Sequence, residues 1–136
     1  MGIIGIGLAH KMVIVLNWEK FTSFIKARGK YKKTPCIYIQ TDSKGNPIRV
    51  GKASKGLEVR YRGGTGYALE AAMHESGNQI YISKVNERIC KDVENNLIFQ
   101  GCEQLKYNNI GKKRRLSKII KIIHKGKKPR LGKFTE

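Results

Sequence analysis

The stretch Pro35–Arg62, PCIYIQTDSKGNPIRVGKASKGLEVRYR, decides the fold. Two short runs of alternating apolar and polar residues, Cys36–Gln40 and Ile48–Gly51, flank the turn-rich link Asp42-Ser43-Lys44-Gly45-Asn46-Pro47. That pattern predicts a β-hairpin. Strand side chains alternate in direction, so Ile37 and Ile39 share one face, and Ile48 and Val50 can share the matching face of the second strand. The opposite face then carries Tyr38, Gln40 and Arg49. A phenol and a guanidinium on one side of a hairpin make a platform for a polar ligand, with phosphate the first candidate.

Working outward toward the C-terminus, Ser54 is a candidate N-cap for a short helix through Leu57, Arg60 and Tyr61, stopped by Gly63-Gly64. A second helical piece, Tyr67 to Glu75, ends at Ser76-Gly77, with His74 read as a surface histidine near its end. Asn78–Val85 reads as a third strand. Asn86 caps a helix over Glu87–Gln100, where Ile89, Val93 and Leu97 repeat every four residues and Cys90 and Ile98 form a second stripe. Glu94 falls between the stripes. A carboxylate there is costly unless something pairs with it, which leaves a buried ion pair or a metal ligand or active-site acid.

Toward the N-terminus, residues 1–16 read as a strand or extension packed on the domain, and Asn17 as the cap of a helix through Trp18, Phe21, Phe24 and Ile25 that ends near Gly29. A basic connector, Lys26 to Lys33, leads into Pro35. From Gly111 the composition changes to GKKRRLSKIIKIIHKGKKPRLGKFTE, nearly without acids. Leu116, Ile119, Ile120 and Ile123 share one helical face, which predicts an amphipathic basic helix to about His124 and a flexible basic tail after Gly126.

The chain has 136 residues, a one-domain length, and a formal charge of +18. We therefore expect a single domain over 1–136, with an N-terminal extension and helix over 1–34, a core over 35–109 and a basic helix and tail over 110–136. Such a charge attracts polyanions, and nucleic acid is the leading partner. Three cysteines, Cys36, Cys90 and Cys102, lack CxxC spacing, which suggests neither a disulfide framework nor a zinc finger. A reducing cytoplasmic setting fits, with Cys36 and Cys90 as small apolar fillers. The apolar start is too short to span a bilayer, which needs about 20 residues, so no membrane partner is expected.

Five elements in order carry a resemblance: Cys36-Ile37-Tyr38, then Arg49-Val50-Gly51-Lys52-Ala53, Arg60, Glu94-Asn95-Asn96-Leu97-Ile98 and Tyr107-Asn108. Over 35–109 the chain resembles the GIY-YIG nuclease family, and within it most resembles the endonuclease domain of the bacterial excinuclease. The resemblance implies an α+β fold, a small three-stranded antiparallel sheet flanked by helices. It also implies metal-dependent hydrolysis of DNA phosphodiesters, with Mg²⁺ or Mn²⁺ as cofactor and double-stranded or branched DNA as partner, in repair or restriction.

By the same resemblance Tyr38 matches the tyrosine that helps activate water, Arg60 the arginine that holds the phosphate, Glu94 the metal ligand, Lys52 the lysine of the GKA form and Asn108 the late asparagine, with Asn109 as its alternative. Two positions depart from the family pattern. Cys36 stands for the usual glycine and Arg49 for the usual tyrosine of the second motif. Arg49 would then supply a substitute phosphate contact, with Arg62, Lys112, Lys113, Arg114 and Arg115 as further nucleic-acid contacts.

The chemistry asks for these residue types on its own terms. Magnesium binds through as few as one or two carboxylates, so Glu94 suffices for one ion, and a guanidinium fork grips two phosphate oxygens. A phenol with a pKa of about 10 needs nearby positive charge to act as a base, which Lys52 and Arg49 could supply. The alternative reading is a non-catalytic basic nucleic-acid-binding protein on the same scaffold.

Overall fold

The computed structural model describes residues 12–57, 78–101 and 119–130. Its elements are β1 (Met12–Phe21), α1 (Phe24–Lys30), β2 (Cys36–Thr41), β3 (Pro47–Ala53), β4 (Gln79–Lys84), a 3₁₀ turn (Glu87–Ile89), α2 (Cys90–Gly101) and β5 (Ile120–Gly126). The strands form one mixed five-stranded sheet in the order β3-β2-β4-β1-β5. This corrects the expected three-stranded antiparallel sheet. Strands β3, β2 and β4 do pair antiparallel, but β1 adds to β4 antiparallel through Phe21↔Ile80 and to β5 in parallel from Met12↔Ile120 to Trp18↔Gly126.

β5 replaces an expected helix, and β1 carries the expected N-terminal strand on through residues 17–21, where a helix was expected. In β1, Leu16 and Trp18 are buried and Ile14 is half-buried, while Val13 and Val15 face solvent, a period of two rather than 3.6. β-branched residues at 13–15 favour that extended backbone. The helix begins later, where the Ser23 hydroxyl caps it by accepting from the Lys26 N–H at 3.4 Å. Asn17 is therefore not a cap; its own N–H donates to Ser83 Oγ at 2.9 Å.

The same correction holds at the C-terminus. Ile120 and Ile122 are buried while Lys121 and Ile123 are exposed, so the isoleucine-rich run is a strand and not the expected helical face. Residues 127–130 fold back as well, against the expectation of a flexible tail: the Lys127 N–H donates to the Trp18 carbonyl at 2.9 Å and that of Arg130 to the Gly45 carbonyl at 3.3 Å. Residue 116, at the start of the expected helix, lies outside the described residues.

The hairpin forms where its turn chemistry predicts. Asp42 Oδ1 accepts from the N–H groups of Lys44 and Asn46, both at 2.9 Å, and Gly45 takes a left-handed φ of 86°. Pro47 begins β3, an edge strand on which a missing N–H costs little. Asn86 starts the 3₁₀ turn by accepting from the Arg88 N–H at 2.9 Å.

Every residue of β2 is buried, because the sheet is covered on both faces. On one face Ile37, Ile39 and Val50 pack with Trp18, Tyr81, Ile122 and the Val93–Leu97 side of α2. On the other, Tyr38 and Cys36 pack with Ile80, Ile82, Leu57 and with Ala27 and Tyr31 at α1. Asn96 ties α2 to the last strand: its Oδ1 accepts from the Ile120 N–H at 3.1 Å, which satisfies both groups in the interior.

Candidate functional site

Tyr38 and Arg49 are brought together. Arg49 lies opposite Gln40 and Tyr38 opposite Gly51, so all four residues share one sheet face. Arg49 Nη1 donates to the Tyr38 hydroxyl at 2.5 Å, and its guanidinium carbon stands 5.3 Å from the ring centroid.

This contact requires the glycine of the second motif. A Cβ on Gly51 would fall 2.2 Å from Tyr38 Cζ and 2.6 Å from Arg49 Nη1, distances at which no atoms pack. The phenol end of the ring fills the space over the bare backbone. Position 51 was legible as a motif glycine, whereas its role as the floor under the Tyr38 ring needed the cross-strand register.

The face expected to be an open polar platform is covered. Tyr38 and Gln40 are fully buried and Arg49 is only 4% exposed. Arg49 Nε is buried without a hydrogen-bond partner, leaving one donor of a buried cation unused.

Lys52 and Glu94 stand elsewhere. Lys52 pairs with Ile37 in register, which puts it on the α2 face, and both Lys52 and Glu94 act electrostatically on the Cys90 thiol. Burial pushes that thiol up to about 11, with Lys52 opposing and Glu87 and Glu94 adding to the shift. Burial likewise pushes the Cys36 thiol up to about 12. The four described candidates thus fall into two pairs on opposite faces of the sheet. Arg60, Arg62, Asn108, Lys112, Lys113, Arg114 and Arg115 lie outside the described residues, as do His74, Cys102 and the glycine-rich 63–66 segment.

Glu94 is half-buried on α2, one turn beyond Cys90, and offers the hard oxygen donor that magnesium prefers. Among the described residues, no group of three or more His, Cys, Asp and Glu side chains converges. The Glu94 carboxylate fits one ion held through a single protein ligand. Among the described residues no helix is long and apolar enough to cross a membrane.

Sequence reasoning missed a second group of cations, Lys20, Lys44, Lys128 and Arg130, which line one shallow cleft at the turn end of the hairpin. They come from three separated segments, so no local pattern marks them. No family model, curated protein or solved structure matches the chain.

Proposed function

We propose that this protein binds DNA through its cationic surface and hydrolyses phosphodiester bonds at a centre that includes Tyr38 and Arg49. The observation that carries the reading is the Arg49–Tyr38 contact over Gly51, formed by the residues of the two strand motifs that resemble the GIY-YIG family. Arg49 holds the phenol in one orientation. In this reading Tyr38 orients the attacking water, and Arg60 and Asn108 keep the roles that the resemblance implies. Glu94 would hold magnesium, which when bound supplies Lewis-acid stabilisation of the charge on the phosphate oxygens. Lys52, which like Glu94 acts electrostatically on Cys90, adds positive charge on that face and lowers the cost of an anionic substrate there.

A second reading, a non-catalytic DNA-binding protein on the same scaffold, is favoured by one observation: Tyr38 and Lys52 stand on opposite faces, and Glu94 on the helix that covers the Lys52 face. Plasmid nicking in Mg²⁺ against EDTA, run beside a duplex-binding assay on the same preparation, separates the two. The enzyme reading expects nicking in Mg²⁺ alone. Tight binding with every linear, supercoiled and branched substrate left intact would establish the second reading. Cleavage that survives both Glu94→Ala and Arg60→Ala would overturn the assignment of the site.

A further inference from the structure

We propose that the cleft at the turn end of the hairpin is a DNA-backbone clamp, separate from the Tyr38–Arg49 centre; the proposal rests on the DNA-binding part of the reading above. The cleft is lined by Lys20 of β1, Lys44 of the hairpin turn, and Lys128 and Arg130 after β5, with Gln79 and Tyr81 at its floor. Its volume of about 260 Å³ is smaller than ordinary small-molecule pockets of ~300–1,000 Å³. It suits consecutive phosphates of a backbone laid across its four cations better than an enclosed cofactor.

Three features make this more than a chance accumulation of lysines. First, the segment that supplies two of the cations is held in place. The left-handed Gly126, at φ 79°, turns the chain under the Trp18 carbonyl, and the Lys127 and Arg130 N–H groups then bond to Trp18 and Gly45. The Arg130 side chain lies against the hairpin turn, its Cγ 3.7 Å from where a Cβ at Gly45 would stand.

Second, the nearby acids among the described residues have their oxygens taken up by hydrogen bonds, although Asp42 still acts coulombically on Lys44. Asp42 spends its carboxylate on the N–H groups of Lys44 and Asn46 and on Asn46 Nδ2, and Glu19 is bonded by Lys30 and Tyr31 on the other sheet face. Third, none of the four cations has an ion-pair partner among the described residues, and all four side chains are exposed. Four exposed cations converging on one concavity raise the local anion concentration and favour release of counterions from a bound backbone. Tyr81 and Gln79, joined by a 3.1 Å hydrogen bond, give the floor a fixed polar surface.

The test compares two quadruple variants of identical net charge: Lys20→Gln/Lys44→Gln/Lys128→Gln/Arg130→Gln in the cleft, and Lys26→Gln/Lys33→Gln/Lys91→Gln/Lys121→Gln on exposed positions elsewhere. Circular dichroism checks that both fold. Dissociation constants for a short duplex are then measured across a salt series. Each lost phosphate contact lowers the log–log salt slope by about 0.9, so the cleft variant should lose roughly 3 units of slope and the control less than about 1. Equal losses in the two variants, or none in the cleft variant, overturn the clamp while leaving DNA binding intact. Failure of the wild type to bind any duplex removes both the clamp and the reading on which it rests. Unchanged duplex affinity together with lost binding to phosphatidylserine vesicles would also overturn the clamp.

Discussion

On one face of the β2–β3 hairpin the Tyr38 ring rests on Gly51 and is gripped by Arg49; on the other, Lys52 and Glu94 act electrostatically on the Cys90 thiol, which α2 buries in the apolar cluster. The first face adds to its apolar packing one close fit and one charge-assisted hydrogen bond. The second is ordered by ordinary apolar packing with charges at its margin. A close fit fails all at once when an atom is added, whereas packing of the second kind gives way by small increments. The two faces should therefore differ in how they respond to substitution.

The largest effect is expected at position 51. Gly51→Ala drives a methyl group into the Tyr38 ring and should cost about 3 kcal/mol or more in urea unfolding. Gly29→Ala is the matched control: a Cβ there meets nothing within 4 Å and sits in α1, so stability should rise by up to about 1 kcal/mol. Equal effects at the two positions would remove the distinction between a glycine required by contact and one that is merely tolerated.

Next in size is the Arg49–Tyr38 bond. Arg49→Met leaves the phenol buried without its donor, and Tyr38→Phe leaves the guanidinium without that acceptor. Each should cost about 1–3 kcal/mol. A double-mutant cycle should return a coupling of about 1.5 kcal/mol or more, within the range for hydrogen bonds to charged groups. Additive losses would mean that the contact carries no energy of its own.

A smaller effect marks the edge of the Tyr38 face. Hydrogen bonds from Lys30 and then Tyr31 hold the Glu19 carboxyl below its ordinary range. A group whose folded value is lowered contributes stability above its unfolded value and loses it as pH falls through the folded one. Because the Lys30 pair is exposed and screened, Glu19→Gln should cost only roughly 0.5 kcal/mol at neutral pH. The difference from wild type should vanish in acid; a difference that grows as pH falls would contradict the assignment.

The smallest signal is on both faces at once. Burial keeps the Cys36 and Cys90 thiols protonated at neutral pH, up at about 12 and about 11. A thiol reagent should label neither in the folded protein and both after unfolding. Prompt labelling of Cys90 in native conditions would show that the Lys52 and Glu94 side of the hairpin opens.

What could be read in the sequence follows the range of the interactions. The hairpin and α2 were legible because their signals are local: Asp42 and Gly45 set the turn, Asn86 starts the 3₁₀ turn into the helix, and Val93 and Leu97 repeat on one side. Strand β5 was not, and β1 only as far as residue 16, where a strand or extension was expected before a helix from Asn17. Trp18, Phe21 and Ile25 fit a helical spacing by chance, and what makes residues 12–18 a strand is pairing with residues 120–126, more than a hundred positions away. The candidate residues of the hairpin were named correctly as neighbours in motif order, but the division of Tyr38 from Lys52 depends on register, since Tyr38 pairs with Gly51 and Lys52 with Ile37. The basic cleft was invisible for the same reason. Its cations meet only when β5 lies beside β1 and the following residues cross to the hairpin turn.

The claim that the two hairpin faces serve one reaction is tested most directly by single-turnover cleavage of a duplex or branched DNA in Mg²⁺ by wild type, Tyr38→Phe and Glu94→Gln, with affinity for the same DNA measured in EDTA. The account predicts that each substitution lowers the cleavage rate at least 100-fold, in the range expected for a group acting on proton transfer or transition-state charge, while affinity stays within about threefold, a change of under 1 kcal/mol. Cleavage lost in Glu94→Gln and kept in Tyr38→Phe, or the reverse, would contradict it.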